Sequence, residues 1–140
     1  MDQKRKLRKI GRNMGYKIRN GKNFQIFFGA VHGKRLINTD PTVGPKVWEW
    51  RMLHELGHAE LMGRKEKNHV NTFYRIYKIA LEEYTPTDAF YRDYLHMEWK
   101  AWEQGYKIAQ REGIKLDKTG YWKHAKKCWN TYVKNLRNTF

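Results

Sequence analysis

The sequence predicts an α+β fold, in which a small N-terminal antiparallel β-sheet precedes a long central helix and about three further helices. Residues 16–38 are rich in β-forming side chains separated by turn signals. Residues 45–62 surround a histidine motif with apolar side chains, and apolar positions recur at helical spacing after residue 68. With 140 residues, 40% of them hydrophobic, the chain is expected to form a single domain over residues 1–140.

The first segment, residues 1–14, is strongly basic, since five of the first nine residues are Lys or Arg. It can form a short helix over about 2–12 or remain a basic flexible arm, and the sequence leaves both alternatives open. Residues 16–38 then predict two or three antiparallel strands. His32 and Gly33 are expected in a hairpin turn, with His32 as a turn residue rather than a ligand.

A central helix is predicted from about Pro45 to Met62. Proline is well tolerated in a first helical turn, and Gly63 suits a left-handed C-terminal cap. Three further helices are expected because capping residues, apolar spacing and a stop at Gly113 follow one another along the chain. Their predicted bounds are Asn68 or Asn71 to Tyr84, Thr85 (as N-cap) to Glu112, and Thr119 to Leu136.

Within the central helix, His54, Glu55 and His58 form a His-Glu-x-x-His motif. Residues four apart in a helix lie on one face, so both imidazoles can reach one metal ion. Zn²⁺ accepts two such nitrogen donors, and Glu55 can act as general base toward a water in the open position. A helix that carries two packed or solvated histidines is the alternative.

Glu98 is the candidate third ligand. It lies at the centre of an apolar stripe in the helix after Thr85. A buried carboxylate is costly unless it is paired or bound to a metal. Zinc would compensate this charge, and pairing with a nearby arginine is the other explanation.

Two segments resemble known metallopeptidases. Residues 52–59, Met-Leu-His-Glu-Leu-Gly-His-Ala, resemble the active-site helix of the zincin superfamily. Residues 98–102, Glu-Trp-Lys-Ala-Trp, are similar to the second motif of small gluzincin-like proteins, many of them phage-encoded, and of ImmA/IrrE-type metallopeptidases. The resemblance implies a zinc-dependent endopeptidase with one Zn²⁺ per chain, bound by His54, His58 and Glu98, and a protein or peptide substrate.

A rival resemblance involves His69. Together with Phe73, four residues later, it is similar to the SprT/Spartan-type proteases, which act on proteins bound to DNA. This resemblance implies His69 as the third ligand in place of Glu98. The sequence leaves both third ligands open.

The chain also needs a donor for the oxyanion of a peptidase reaction. The sequence offers four candidates and does not choose among them: Tyr84, Tyr91, Tyr94 and His96. As zinc ligands, His96 and His124 are disfavoured and are expected to be packing or surface residues.

The formal net charge of +15 suggests a polyanionic partner, either nucleic acid bound through the basic termini or an acidic protein. A basic nucleic-acid-binding module with a structural or vestigial zinc site is therefore a second functional hypothesis. Cys128 is the only cysteine, which excludes an intrachain disulfide. With neither a signal-peptide pattern nor a membrane-spanning stretch, the sequence predicts a cytoplasmic protein, in the host cytoplasm if it is phage-encoded.

Overall fold

The computed structural model describes residues 2–29 and 33–140, and His32 lies outside these ranges. The described residues confirm the α+β class with three strands and five helices. The strands are β1 (Lys17–Asn20), β2 (Gln25–Phe27) and β3 (Leu36–Thr39). The helices are α1 (Gln3–Asn13), α2 (Pro45–Gly63), α3 (Lys67–Ala80), α4 (Asp88–Arg111) and α5 (Lys118–Thr139).

The sheet is mixed, which corrects the prediction that all its strands are antiparallel. The strand order is β1-β3-β2, so the last strand in sequence is the central one. Ile37 of β3 pairs with Ile18 in parallel on one side and with Ile26 antiparallel on the other. The most buried strand, β3, thus takes the position with a neighbour on each side, because burial is greatest there.

The basic N-terminal segment is a packed helix and not a flexible arm. Asp2 caps α1 by accepting a hydrogen bond from the backbone N–H of Arg5 at 2.9 Å. Leu7 and Ile10, three residues apart and therefore on one face, are buried in the core. The basic side chains of α1 remain on the outside, where Lys4 and Arg8 lie over the ring of Trp48.

Helices α2 and α4 cross in direct backbone contact. A Cβ atom on Gly57 of α2 would come closer than 3.0 Å to the carbonyl oxygen of Ala101, and one on Gly105 of α4 would overlap that of Leu53 in the same way. Each helix thus presents a glycine to the backbone of the other. A glycine inside a helix costs about 1 kcal/mol relative to alanine, and here it permits the close approach.

The turn between α2 and α3 differs from the prediction. Gly63 is the last residue of α2 rather than its left-handed cap, and the left-handed residue is Lys65, with φ of 57°. Glu66, instead of Asn68 or Asn71, caps α3 by accepting from the backbone N–H groups of residues 68 and 69. Asparagine is a preferred N-cap residue and glutamate is not, so the sequence alone favoured the wrong residue.

The end of α3 and the N-cap of α4 also differ from the prediction. Helix α3 ends at Ala80 instead of Tyr84, and α4 is capped by Thr87 instead of Thr85. The hydroxyl of Thr87 accepts a hydrogen bond from the N–H of Phe90 at 3.1 Å, in the usual N-cap arrangement. The stop at Gly113 is confirmed by its left-handed φ of 68°.

Helix α5 packs on α4 and α2, and its buried residues are Tyr121, Ala125 and Cys128. Val133, in the last turns of α5, is 43% exposed. None of the helices in the described ranges combines the length and the apolar character needed to cross a membrane.

Candidate metal centre

The structure brings the three predicted ligands together. His54 and His58 lie one turn apart on α2, and Glu98 faces them from α4. The exposed fractions are 5% for His54, 2% for His58 and 8% for Glu98. One nitrogen or oxygen atom from each of the three residues lies within 4.8 Å of the other two. This trio is called the metal centre below.

The contacts within the metal centre are specific. Nε2 of His54 lies 3.1 Å from Oε2 of Glu98, and Nε2 of His58 lies 3.4 Å from Oε1 of the same carboxylate. Both carboxylate oxygens therefore face imidazole nitrogens. In the described part of the chain, Glu98 forms ion pairs only with these histidines, so the predicted alternative of an arginine partner is wrong.

The donor set fits a metal ion such as Zn²⁺. Zinc sites that catalyse hydrolysis typically use three nitrogen or carboxylate ligands and leave one position open. Nε2 of His54 is buried and makes no hydrogen bond of acceptable geometry, even to the nearby carboxylate. A buried nitrogen without a hydrogen-bond partner is costly, and a metal ion between it and Glu98 would satisfy both.

The electrostatics of the trio show a need for positive charge. Burial lowers the pKa of His54, but the carboxylates of Glu55 and Glu98 outweigh it and raise the pKa to about 9. Burial raises the pKa of Glu98, and its two histidine partners overcome this effect and hold the pKa well below its ordinary value. The buried carboxylate therefore remains ionised and requires a cation, either a proton on His54 or a metal ion.

Glu55 lies beside the metal centre without joining it. Its Oε1 atom is 3.4 Å from Nδ1 of His54, on the ring nitrogen that does not face Glu98. The side chain is buried but lines the same cleft as the trio. Glu55 therefore lies next to the predicted ligands, and its role as a base stays a prediction.

His69, the alternative third ligand, does not join the three. It is fully buried, and its Nε2 lies 2.9 Å from Nδ1 of His58, on the side of that ring away from Glu98. Burial, followed by the nearby His58, lowers the pKa of His69, so that it stays neutral. The structure therefore places His69 as the partner that orients His58.

Trp102, one turn after Glu98 on α4, packs against one face of the His54 ring. The two rings stack with centroids 4.2 Å apart and an angle of 18°. The carbonyl oxygen of Trp102 accepts a hydrogen bond from the hydroxyl of Tyr121, which is buried in α5. The Ala-Trp pair after Glu98 therefore contributes an aromatic support for the first histidine.

A cleft of about 320 Å³ opens onto the metal centre between β2, α2, α3, α4 and α5. Tyr94 lines it, whereas the other predicted oxyanion donors, Tyr84, Tyr91 and His96, lie outside its lining. Tyr132 of α5 also lines it, although the sequence analysis missed this role. Burial raises the pKa of Tyr94 and Tyr132, so both phenols keep their proton and can donate hydrogen bonds.

No protein-family model matches the chain, and neither a curated protein nor a solved structure does. The zincin resemblance therefore stays a prediction.

Proposed function

We propose that the protein is a zinc-dependent metallopeptidase that hydrolyses peptide bonds in a protein or peptide substrate. One observation carries the proposal: three buried metal-ligating side chains, His54, His58 and Glu98, converge on one point at the base of an open cleft. Glu55 lies beside them as a base. The cleft is large enough to admit several side chains or a segment of extended peptide.

In this proposal His54, His58 and Glu98 would hold one Zn²⁺ ion. Zinc, when bound, would lower the pKa of a water molecule to about 7 and polarise the scissile carbonyl. Glu55 would accept the proton from the attacking water and later pass it to the leaving amine. The phenols of Tyr94 and Tyr132, both in the cleft, would donate hydrogen bonds to the developing oxyanion.

The surrounding residues would keep this arrangement rigid. His69 holds Nδ1 of His58, and Trp102 stacks on His54, so each imidazole has a separate partner that sets its orientation. Preorganisation of this kind reduces the cost of assembling ligands around a metal ion. The SprT-like alternative, with His69 as a ligand, is less favoured because His69 uses its Nε2 atom for His58.

The experiment that tests the proposal is the zinc content per chain, measured by elemental analysis after reconstitution. Wild type is expected to bind about one zinc, Glu98→Ala to lose it, and Glu55→Gln to keep it. His96→Ala is the matched control, because His96 is an exposed histidine on the same helix as Glu98 and outside the metal centre. A wild-type protein that binds no zinc would overturn the proposal.

Hydrolysis is then measured on a quenched-fluorescence peptide library with the zinc-loaded protein. Glu55→Gln should keep zinc and lose turnover, since the carboxylate that accepts the proton is gone. Turnover retained in Glu55→Gln would show that the assigned base is wrong. Zinc binding without turnover in wild type on any peptide would leave a metal-binding protein and contradict the peptidase assignment.

We also propose the cytoplasm as the location of the protein. Its single cysteine, Cys128, is buried and free. Buried free thiols are common in reducing compartments. Fractionation of the natural host that places the chain outside the cytoplasm would contradict this assignment.

A further inference from the structure

A surface formed by α4 and α5, outside the cleft that contains the metal centre, has two adjoining hollows. The tryptophan hollow, of about 430 Å³, is lined by Arg92, Leu95, His96, Trp99, Lys126 and Trp129. The lysine hollow, of about 490 Å³, is lined by Lys123, Lys126, Lys127, Asn130, Thr131 and Lys134. Lys126 belongs to both, so the hollows form one continuous surface, called the α5 face below.

The α5 face is strongly cationic and lacks a compensating charge. Neither hollow is lined by a carboxylate, and α5 contains no Asp or Glu. Lys123, Lys126, Lys127 and Lys134 are exposed, and among the described residues none of them forms an ion pair. Like charges crowded on one helix repel one another, so a polyanion that binds here would gain free energy from their neutralisation.

Aromatic rings lie among these charges. Trp99 and Trp129 meet edge to face, with centroids 6.4 Å apart, and both are half-buried. The ammonium group of Lys126 lies 5.0 Å from the ring centroid of Trp129, over the indole that lines the hollow. A flexible lysine can move aside for a flat ligand, which would then contact indole while the ammonium group reaches a phosphate.

From this combination we propose that the α5 face binds single-stranded nucleic acid. An unpaired base enters the tryptophan hollow, and successive phosphates lie along Lys126, Lys123, Lys127 and Lys134. Cationic grooves with exposed aromatic rings are the arrangement by which proteins bind single strands without sequence preference. The proposal goes beyond the peptidase assignment and does not depend on a metal ion.

Two alternative polyanions fit the face less well. An acidic peptide would pair with the lysines but has no group that requires two indole rings. Duplex nucleic acid keeps its bases stacked inside the helix, so it cannot offer one to the tryptophan hollow. Unpaired bases expose the flat π-face that indole binds.

The position of the α5 face places bound nucleic acid near Glu55. Thr131 lines the lysine hollow and also a depression that contains His54 and Glu55. A strand bound along the lysines therefore lies beside this depression. Proteins that accompany single-stranded nucleic acid would be brought close to it.

The test is fluorescence anisotropy with a labelled single-stranded DNA oligonucleotide of mixed sequence, over a series of salt concentrations. The first variant replaces Lys123, Lys126, Lys127 and Lys134 by Gln. Its matched control also changes four exposed lysines to Gln, and so removes the same charge from outside the α5 face: Lys9, Lys17, Lys65 and Lys67. Each phosphate contact contributes about 0.7 to the slope of log affinity against log salt on a single strand. The α5 variant loses four lysines, so the magnitude of this slope should fall by roughly 3. The control variant should change the slope much less.

The second pair of variants tests the role of the indole ring. Trp129→Leu should weaken binding of the oligonucleotide by at least about fivefold, because the base loses an indole ring on which it stacks. Binding should also quench the intrinsic tryptophan fluorescence of wild type, and this quenching should be smaller in Trp129→Leu. Trp122→Leu is the matched control, because Trp122 packs on Trp99 but does not line the hollow. Circular dichroism checks that each variant is folded. The lysine variant changes exposed side chains only, and so tests the proposal even if a tryptophan variant unfolds.

Several results would overturn the proposal. If both lysine variants weaken binding equally, the charge of the whole chain and not the α5 face is responsible. If Trp129→Leu binds as wild type does, no base enters the hollow. If a polyglutamate peptide displaces the labelled oligonucleotide as well as an unlabelled oligonucleotide does, the partner is an acidic protein. If duplex DNA binds more tightly than single-stranded DNA, the α5 face is not a site for single strands. Failure of the metallopeptidase assignment would change none of these results, since zinc is absent from the assay.

Discussion

The metal centre and the α5 face differ in what fixes the positions of their side chains. At the metal centre, three side chains are buried within 4.8 Å of one another, and their positions follow from the backbone contact of α2 with α4. On the α5 face the lysines are exposed, their side chains are long, and within the described residues none of them pairs with a carboxylate. One region depends on exact distances and the other on a density of charge.

The two regions therefore respond differently to a small shift in the crossing of α2 and α4. A change of a few tenths of an ångström in the helix crossing alters the metal centre, because ligand geometry tolerates little error. The same change leaves the α5 face intact, since ammonium groups on flexible stems adjust to a bound polyanion. The experiments below disturb one region at a time, beginning with the largest expected effect.

Gly57→Ala should destabilise the protein by about 3 kcal/mol, because the added methyl group would overlap the carbonyl of Ala101 on the facing helix. Zinc affinity should fall as well, since α4 carries Glu98. Urea unfolding monitored by circular dichroism measures the first effect. Gly63→Ala is the control: no atom lies within 4 Å of its added Cβ, so the same exchange should be neutral or slightly stabilising. Equal effects of the two changes would contradict the tight helix crossing.

His69→Ala should weaken zinc binding by about 10- to 100-fold while keeping one zinc per chain at saturation, since a ligand's orienting partner is lost. Competition with a chromophoric chelator measures the affinity. His96→Ala should leave it unchanged. A protein that binds no zinc at any concentration without His69 would make this residue a ligand, and an unchanged affinity would show that packing alone orients His58.

Glu60→Gln should cost about 1–2 kcal/mol at neutral pH, because Glu60 of α2 accepts hydrogen bonds from Arg111 at 2.8 and 3.0 Å and from Gln104, both of α4. Burial raises the pKa of Glu60, but Arg111 and Gln104 reverse this and lower it below its ordinary value. The stabilisation is therefore complete above about pH 4.5 and is lost as the pH falls through the lowered pKa.

Unfolding experiments between pH 7 and pH 3 test the role of Glu60. The difference between wild type and Glu60→Gln should shrink as the pH falls, because protonated glutamate and glutamine make similar contacts. Glu66→Gln is a useful comparison on the same surface, since Glu66 caps α3 and does not join α2 to α4. A constant difference across the pH range would contradict the ionised pairing.

The smallest effect is expected for Arg137→Gln on α5. Its ion pair with Asp88 spans 3.0 Å, but both side chains are more than 70% exposed. Exposed pairs of this kind contribute little to stability, so the unfolding temperature should stay within experimental error. A clear loss of stability would show that charge on α5 supports the fold, and would blur the distinction between the two regions.

The sequence predicted the metal centre better than its surroundings. The spacing of His54 and His58 places both on one face of a helix beside Glu55, and Glu98 was conspicuous as a carboxylate on an apolar stripe. The structure brings these four together. The zinc ion, the reaction and the cytoplasmic location stay predictions.

What the sequence did not predict depends on tertiary contacts. Parallel pairing of β1 with β3 depends on β3 lying between β1 and β2, and residues next to one another in sequence do not report this. His69 was predicted only as an alternative ligand, because its partner His58 lies on another helix. Tyr132 was not predicted at the site, because its place in the cleft depends on how α5 packs.

The reciprocal glycines of α2 and α4 separate the crossing of these helices from the lining of the cleft. Because the helices meet backbone to backbone at Gly57 and Gly105, main-chain atoms set their spacing at this point. Ile76 and Tyr94 line the cleft and are not among the atoms that these glycines meet. Selection can therefore change the cleft wall at such positions over generations, and an engineer can redesign it, while the spacing of the two helices is kept.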